Sequence, residues 1–333
     1  MPRPLQVMMS FTRPTETSSP YVQLLIRALE EEGVEVHYLS WPALVTGRVR
    51  LLHIHWPETM LKRRTAIGRV ANRAFMATLL MWARSGRTQV VRTVHNSVPH
   101  ESPGRADRWL LGRLDAATHA RIYLTAPATE AVGDSVVLPH AELGSWYVAQ
   151  AAEPVPTPSA KGPDVLFFGL VRPYKGIEHL VRLADDAPDL TVRIIGAPAD
   201  SALAELVDGA VSSHTNLSSE LRHVPDPQLV AEIIRARLVV LPYEKFENSG
   251  AAALAMDLGV PVLVPACGPT RELQALFGPE WVHLYEPPLR ADEVRRTIRG
   301  LVEAGSAQRP IVEVREWPHQ AKVHIELYES VLG

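Results

Sequence analysis

The sequence predicts an α/β protein made of two parallel-sheet domains. Short apolar runs alternate with longer amphipathic stretches along the chain, which is the rhythm of strands laid parallel and covered by helices. The rhythm is interrupted at Ala151 to Pro163, "AAEPVPTPSAKGP", a stretch rich in proline and small residues, and then starts afresh. With 333 residues, 46% of them hydrophobic, the chain exceeds what one core usually serves. The expected organisation is a first domain over 1–150, a linker over 151–163, a second domain over 164–312 and a terminal helix over 313–333.

In the first half, "LQVMMS" is a strand, Phe11 to Pro20 a loop, and Tyr21 to Glu32 an amphipathic helix. Strands "VEVHYLS" and "LLHIHW" follow, then a basic helix and the strand "QVVRTVHN". In the second half the strands are "DVLFFG", "TVRIIGAP", "LRHVP", "ARLVVLPY" and "VPVLVP". The chain closes with "WPHQAKVHIELYESVLG", a helix.

A formal net charge of −3 hides an asymmetry. Residues 1–160 hold 17 Lys and Arg against 13 Asp and Glu, and the remainder 17 against 24. Leu61 to Arg87 carries Lys62, Arg63, Arg64, Arg69, Arg73, Arg84 and Arg87 with no acid. Helical spacing gathers Ile67, Val70, Ala74 and Met81, and separately Phe75, Leu79 and Trp82, on apolar faces, so the segment resembles a helix that lies on an anionic membrane surface. The alternative is a solvated basic helix over a core. The single cysteine, Cys267, excludes an internal disulfide and a cysteine-cluster zinc site and fits a reducing cytosol. Neither a secretory leader nor an uncharged run of 18 apolar residues is evident, so a cytoplasmic location, peripheral on the inner face of a membrane, is expected.

The strongest chemical signal is "FFGLVRPYKGIEHLVRLA", Phe167 to Ala184: a buried strand, a glycine turn with Arg172 and Lys175, then an amphipathic helix. Free backbone N–H groups and the positive dipole end at a helix N-terminus suit phosphate, and the two cations add full charge. It is not a P-loop, because Ile177 stands where a magnesium-holding Ser or Thr would be needed. Gly169 lets the chain turn after the strand and Gly176 lets the helix start close to a ligand. A second such unit, Val239 to Gly268, runs strand, polar loop with Glu244 and Glu247, helix start at Asn248-Ser249-Gly250, and strand. Plain N-capping also accounts for Asn248 and Ser249. Two units of this kind place a nucleotide crevice at one sheet edge.

On these two units the chain resembles the GT-B glycosyltransferases, in which the glycine turn grips the diphosphate of a nucleotide-sugar and the later loop and helix meet its sugar and ribose. Retaining members carry two glutamates eight positions apart; aligning Gly259-Val260-Pro261-Val262 puts Phe246 and Leu254 there, and the arginine that usually follows the glycine is Leu170 here. With "HIHWPE", "TVHNSVPHE" and "RPYKG", the pattern is more similar to the bacterial exopolysaccharide branch that adds mannose from GDP-mannose with inversion. The resemblance implies donor-binding residues Gly169, Arg172, Lys175, Val224 (in "RHVPDPQLV", the nucleobase segment), Glu244, Asn248, Ser249 and Gly250. It also implies an acceptor-side loop with Arg13, Thr15 and Ser18, a terminal helix crossing back to the first domain, and a glycan or lipid-linked acceptor.

His53 and His55 alternate on one strand and share a face, while His95, His100 and Glu101 follow another. No compact metal-ligand spacing accompanies them, and no Asp-x-Asp occurs, so neither a metal nor a cofactor beyond the donor is expected. The family places a histidine against the donor sugar, which would be His95, and Glu101 or His55 would take the proton of the acceptor hydroxyl. His53 reads as a packed core residue. A nucleotide-sugar epimerase or phosphorylase, and a non-catalytic sugar-nucleotide-binding subunit, are the competing readings. A dehydrogenase is disfavoured by the missing G-x-G-x-x-G, and a nucleic-acid binder by a basic tract without interleaved aromatics.

Overall fold

The computed structural model describes residues 4–15, 18–46, 49–62, 65–95, 104–126, 134–150, 162–305 and 310–333, without the side chains of 44 and 45. Two compact units form: Met1–Ala141 with Glu313–Gly333, and Glu142–Val312.

Unit 1 begins β1 (Gln6–Met9), α1 (Pro20–Glu31), β2 (Glu35–Tyr38), α2 (Trp41–Val45) and β3 (Leu51–His55). It continues α3 (Pro57–Leu61), α4 (Ala66–Arg84), β4 (Gln89–Val94), α5 (Arg105–Ala116), β5 (Ala120–Tyr123) and β6 (Asp134–Val137). The strands form one parallel sheet, ordered β2-β1-β3-β4-β5-β6. Every residue of β3 is buried, as a central parallel strand covered on both faces must be. Phe75, Met76, Leu79 and Leu80 of α4 pack with Leu52, Ile54 and Val90 of the sheet and with Leu110 and Leu114 of α5.

Unit 2 holds α6 (Gly144–Gln150), β7 (Val165–Phe168), α7 (Ile177–Asp186), β8 (Val192–Ile195), α8 (Ser201–Ser213), β9 (Leu217–Glu220) and α9 (Asp226–Arg235). After these come β10 (Leu238–Val240), α10 (Gly250–Asp257), β11 (Val262–Pro265), α11 (Gly268–Phe277), β12 (Val282–Tyr285) and α12 (Ala291–Ala304). Its sheet is also parallel, ordered β12-β11-β10-β7-β8-β9, so the direction of strand addition reverses between β7 and β10. The last helix, α13 (Trp317–Leu332), packs on α1 and belongs to unit 1, the return expected of a GT-B chain.

Several boundaries differ from the sequence expectation. The first unit ends at Ala141 rather than 150, because α6 is fastened to α10: Asp257 accepts the Leu143 N–H at 2.9 Å, and a Cβ on Gly144 would stand 2.7 Å from that of Asp257. The linker expected at 151–163 falls on residues outside the described set as far as 161. "LRHVP" is a loop; the strand before it is Leu217–Glu220. The helix of the basic segment is confined to Ala66–Arg84, with Thr65 accepting the Gly68 N–H at 3.1 Å to cap it; a separate short helix ends at Leu61, and Arg63 and Arg64 lie outside the described residues.

A chain of buried polar groups ties α13 and α1 to the sheet. His53, on β3, places Nδ1 2.6 Å from the Tyr328 hydroxyl of α13 and Nε2 2.8 Å from the Thr93 hydroxyl of β4. Tyr21 of α1 hydrogen-bonds Thr93 in turn. His324, one turn before Tyr328, stacks obliquely on His53 at 5.5 Å and faces the Gln320 carbonyl through Nδ1 at 2.6 Å. Arg315 donates to the His140 carbonyl at 2.7 Å, which anchors the start of α13. Burial first, and then the neighbouring imidazoles, holds His53 well below its ordinary pKa, and burial brings His324 down to about 4.

These rings are therefore neutral in the native protein and take up protons only when the chain unfolds. Stability is fully present above about pH 6.5 and is lost as pH falls through 6.5 toward 4, at up to about 1.4 kcal/mol per pH unit for each buried histidine. Chemical denaturation at pH 7, 6, 5 and 4.5 measures this, and equal stability at pH 7 and 5 would show that the rings are not buried neutral. Tyr328→Phe, which leaves the His53 Nδ1 without its partner, is expected to cost about 1–3 kcal/mol in the same assay.

Candidate functional site

The two sheets present their carboxyl edges as separate sites. In unit 2 the chain leaves β7 at Gly169 (φ 105°), passes Arg172, makes a single 3-10 turn over Pro173–Lys175, and enters α7 through Gly176 (φ 63°). Two close approaches shape this loop. A Cβ on Gly196, after β8, would stand 1.9 Å from the Gly169 carbonyl oxygen, and one on Gly176 would stand 2.2 Å from that of Pro242. Gly176 thus makes room for the chain after β10, a reason for glycine that the sequence reading did not contain. The Glu244 N–H donates to the Tyr174 carbonyl at 2.9 Å and locks the two loops together.

Lys175 is half-buried over the rings of Phe167 and Tyr243, its Nζ 5.7 and 5.1 Å from their centroids. Burial and then the Arg172 charge lower its pKa to about 8. Among the described residues neither Lys175 nor Arg172 has a carboxylate within ion-pair distance, so two neighbouring positive charges stand without a counter-charge at the N-terminus of α7. Two such cations beside the free N–H groups of a helix start are an arrangement suited to an anion.

Beside it a pocket of about 690 Å³ opens between the loops after β10, β11 and β12. His179, Glu244, Phe246, Glu247, Cys267 and Tyr285 line it, giving an apolar floor with carboxylates and an imidazole at the rim. Ser249 caps α10, accepting the Ala252 N–H at 3.2 Å, and hydrogen-bonds Tyr243; Asn248 and Gly250 adjoin it. Phe246 and Leu254, which stand in place of the glutamate pair, are both buried. Val224 is buried in the loop after β9, at the same edge. Asp226 is the first residue of α9, with Pro225 at the cap position. That loop is steadied by Arg193 on β8, which donates to Glu220 at 3.0 Å and Glu232 at 2.6 Å. Sequence reasoning missed His179 in the first turn of α7, Gly196 after β8, Cys267 at the cap of α11 and Tyr285 at the end of β12, which only the order of the strands brings to one edge.

In unit 1 His55 and His95 do come together, Nδ1 of the first 3.0 Å from Nε2 of the second. His55 is only 2% exposed, beneath His95, with its Nε2 lacking a hydrogen-bond partner. Burial first, and then the neighbouring imidazoles, hold its pKa well below the ordinary value, so it stands as a neutral ring packed against His95. His95 stacks on Trp56 at 4.2 Å and 17°, and Tyr21 meets its edge at 5.5 Å. Trp56 is the one described non-glycine residue in the left-handed region, at φ 45°, a strained conformation that turns its ring onto His95. Burial, and then His140 and Arg92, lower the His95 pKa to about 3, so it acts as a neutral imidazole. Glu101 lies outside the described residues. In the loop after β1, Arg13 lies over the Tyr38 ring at 5.5 Å, and Thr15 and Ser18 close a turn in which the Ser18 hydroxyl accepts the Thr15 N–H at 2.9 Å. Among the described residues no three His, Cys, Asp or Glu side chains converge as a metal set, and no helix is long and apolar enough to cross a membrane.

No family model matches the chain. Two proteins of Xanthomonas campestris pv. campestris described as GDP-mannose:glycolipid 4-beta-D-mannosyltransferase are 34% identical to it over 340 residues, covering 99% of this chain and 93% of theirs. Among solved structures, apo OtsA aligns with TM-score 0.66 at 10% identity, over 98% of this chain and 99% of its own. AviGT4, a glycosyltransferase involved in avilamycin A biosynthesis, aligns with TM-score 0.57 at 17% identity, over 99% and 98%. Anabaena HepE in complex with UDP aligns with TM-score 0.58 at 14% identity, also over 99% and 98%.

Protonated Lys175 is the form that attracts a diphosphate. Nucleoside diphosphate affinity is therefore expected to hold steady from pH 6 to 7.5 and to fall as pH rises past about 8, with proton uptake on binding in the upper range. Calorimetry at pH 7 and 9 in buffers of different ionisation enthalpy reads both; an unchanged Kd without proton uptake would remove Lys175 from the site.

Proposed function

This chain belongs to the family of the GDP-mannose:glycolipid mannosyltransferases, glycosyltransferases of GT-B fold, and we propose that it transfers mannose from GDP-mannose to a hydroxyl of a lipid-linked glycan, with inversion and without a metal. The observation that carries this reading is the pair of uncompensated cations, Arg172 and Lys175, at the N-terminus of α7. When the bond between the anomeric carbon and the donor's phosphate oxygen breaks, negative charge grows on the leaving diphosphate. Two cations and the backbone N–H groups of α7, already desolvated and oriented, stabilise that charge with little reorganisation. The adjoining pocket, with Glu244 at its rim, would take the sugar and ribose hydroxyls.

Inversion is supported by Phe246 and Leu254, which fill the carboxylate positions of the retaining relatives with buried apolar side chains. The relatives' description as 4-beta-D-mannosyltransferases points the same way. A single displacement needs a base for the acceptor hydroxyl. Glu101 would supply it, since His95 is held neutral with a pKa near 3 and suits a hydrogen bond to a sugar better than proton storage. Unit 1 would present the acceptor and unit 2 the donor.

A lipid-linked acceptor calls for a membrane surface. On α4, Ile67, Val70 and Met81 are 84, 65 and 53% exposed, and Trp109 of α5 is 63% exposed. The same two helices and their ends carry Arg69, Arg84, Arg87, Arg105 and Arg108. Apolar side chains ringed by cations fit an anionic bilayer, at about 1 kcal/mol per engaged cation. The cytoplasmic leaflet is the proposed location.

Lys175→Ala is expected to lower kcat/KM by about 2–4 kcal/mol in transition-state stabilisation, with the melting temperature nearly unchanged. Turnover like that of the wild type would overturn the diphosphate assignment. The anomeric coupling of the product settles the stereochemistry: a β-linked mannose is expected, and an α linkage would return the chain to the retaining mechanism.

A further inference from the structure

The basic face of unit 1 contains a notch of about 480 Å³ where α4 and α5 end, lined by Arg84, Arg113, Thr118 and His119 together with alanines. We propose that this notch is a binding site for the phosphate of an anionic lipid headgroup, which orients the protein on the bilayer. The proposal rests on the reading that this face meets a membrane.

Arginines nearby fall into two groups. Arg73 pairs with Asp107 at 2.8 Å, and Arg92 and Arg121 share Asp115 at 3.0 and 3.3 Å. Arg84 and Arg113, which face the notch, have no carboxylate within ion-pair distance among the described residues, and no acid lines the notch. The guanidinium of Arg113 instead lies 5.8 Å over the Trp109 ring. His119 supplies a third donor: its Nδ1 accepts the Val90 N–H at 3.0 Å, which leaves the ring hydrogen on Nε2. Burial lowers the His119 pKa, so the ring donates as a neutral imidazole at pH 7.

Helix C-termini repel anions with about half a charge each, but the Met81, Trp82 and Ala83 carbonyls of α4 and the Arg113, Leu114 and Asp115 carbonyls of α5 are already engaged, and the two guanidiniums carry full charges. Ser85, Gly86 and Arg87 N–H groups close the end of α4, while the Ala117 N–H and the Thr118 hydroxyl close that of α5. Two guanidiniums and an N–H in a notch without acids match the oxygens of a phosphate. The occupant is a lipid because the apolar anchors sit on the same helices: Trp109 is one turn before Arg113, and Met81 one turn before Arg84. A phosphate held at the arginines would bring its acyl chains beside those side chains.

The test compares flotation of the full chain with phosphatidylcholine vesicles doped with phosphatidic acid or with oleate, matched in surface charge. Wild type is expected to bind the phosphatidic acid vesicles about tenfold more tightly than the oleate vesicles, a difference of about 1.4 kcal/mol. Arg84→Gln with Arg113→Gln should erase that preference with an unchanged melting temperature. Arg69→Gln with Arg105→Gln, an equal loss of charge outside the notch, should weaken both vesicle types alike and keep the preference. If the two double variants behave the same, the notch is no more than part of a diffuse field and the proposal falls while the membrane reading stands. If wild type binds neither vesicle, both fall. Calorimetric binding of glycerol phosphate that is lost in Arg84→Gln with Arg113→Gln, with no wild-type preference for phosphatidic acid over oleate vesicles, would make this a site for soluble phosphates and overturn the lipid assignment.

Discussion

Holding two positive charges side by side, partly out of water and with no carboxylate in reach, costs free energy, and the carboxyl edge of unit 2 is organised around that cost. Lys175 feels burial and Arg172, both of which disfavour its charge, and among the described residues the faces of Phe167 and Tyr243 offset part of that cost. The surrounding backbone is correspondingly over-determined. Gly169 and Gly196 touch across β7 and β8, Gly176 touches Pro242, and the Glu244 N–H is bound to Tyr174. A loop held this firmly cannot relax its cations into solvent, so the field stays aimed at the place where a diphosphate would lie.

Unit 1 handles polarity in the opposite sense. Its carboxyl edge buries imidazoles rather than charges and keeps them neutral by desolvation. The cost is offset by pairing each ring with a hydroxyl, a carbonyl or another imidazole, and the pairing runs through three layers: α13 by Tyr328, the sheet by His53 and Thr93, and α1 by Tyr21. The same network that attaches the last helix also sits beneath His95. Structural and chemical roles of the "HIH" strand are therefore inseparable there. Strain at Trp56 is local evidence of the same priority, since a left-handed tryptophan before a proline persists only where neighbouring contacts hold it.

On the outer surface, arginine is divided by partner. Those that pin α4 and α5 to each other or to the sheet are neutralised by Asp107 and Asp115, and those that line the notch at the helix ends are not. A basic tract without acids in its own sequence is thus partly compensated by acids from α5, and the charge left over is concentrated at particular points. Composition alone reports the excess; packing decides where it acts.

By itself the sequence determined the two parallel sheets, the glycine turn with its two cations and the capping Ser249, because each is a short-range pattern: apolar runs, a glycine with positive φ, a hydroxyl before a helix. It also carried the family, through motifs lying at strand ends, and the pairing of His55 with His95 was foreshadowed by their places at neighbouring strand edges. Only the tertiary structure decided that His55 packs against His95, that Gly176 makes room for Pro242, and that 142–150 belongs with α10. It alone assembled His179, Cys267 and Tyr285 into one pocket, and Arg84, Arg113 and His119 into another. These are contacts between residues far apart in the chain, set by which strands neighbour each other and how closely backbones approach. No local pattern encodes such distances, since they exist only once the sheets are closed and their faces covered.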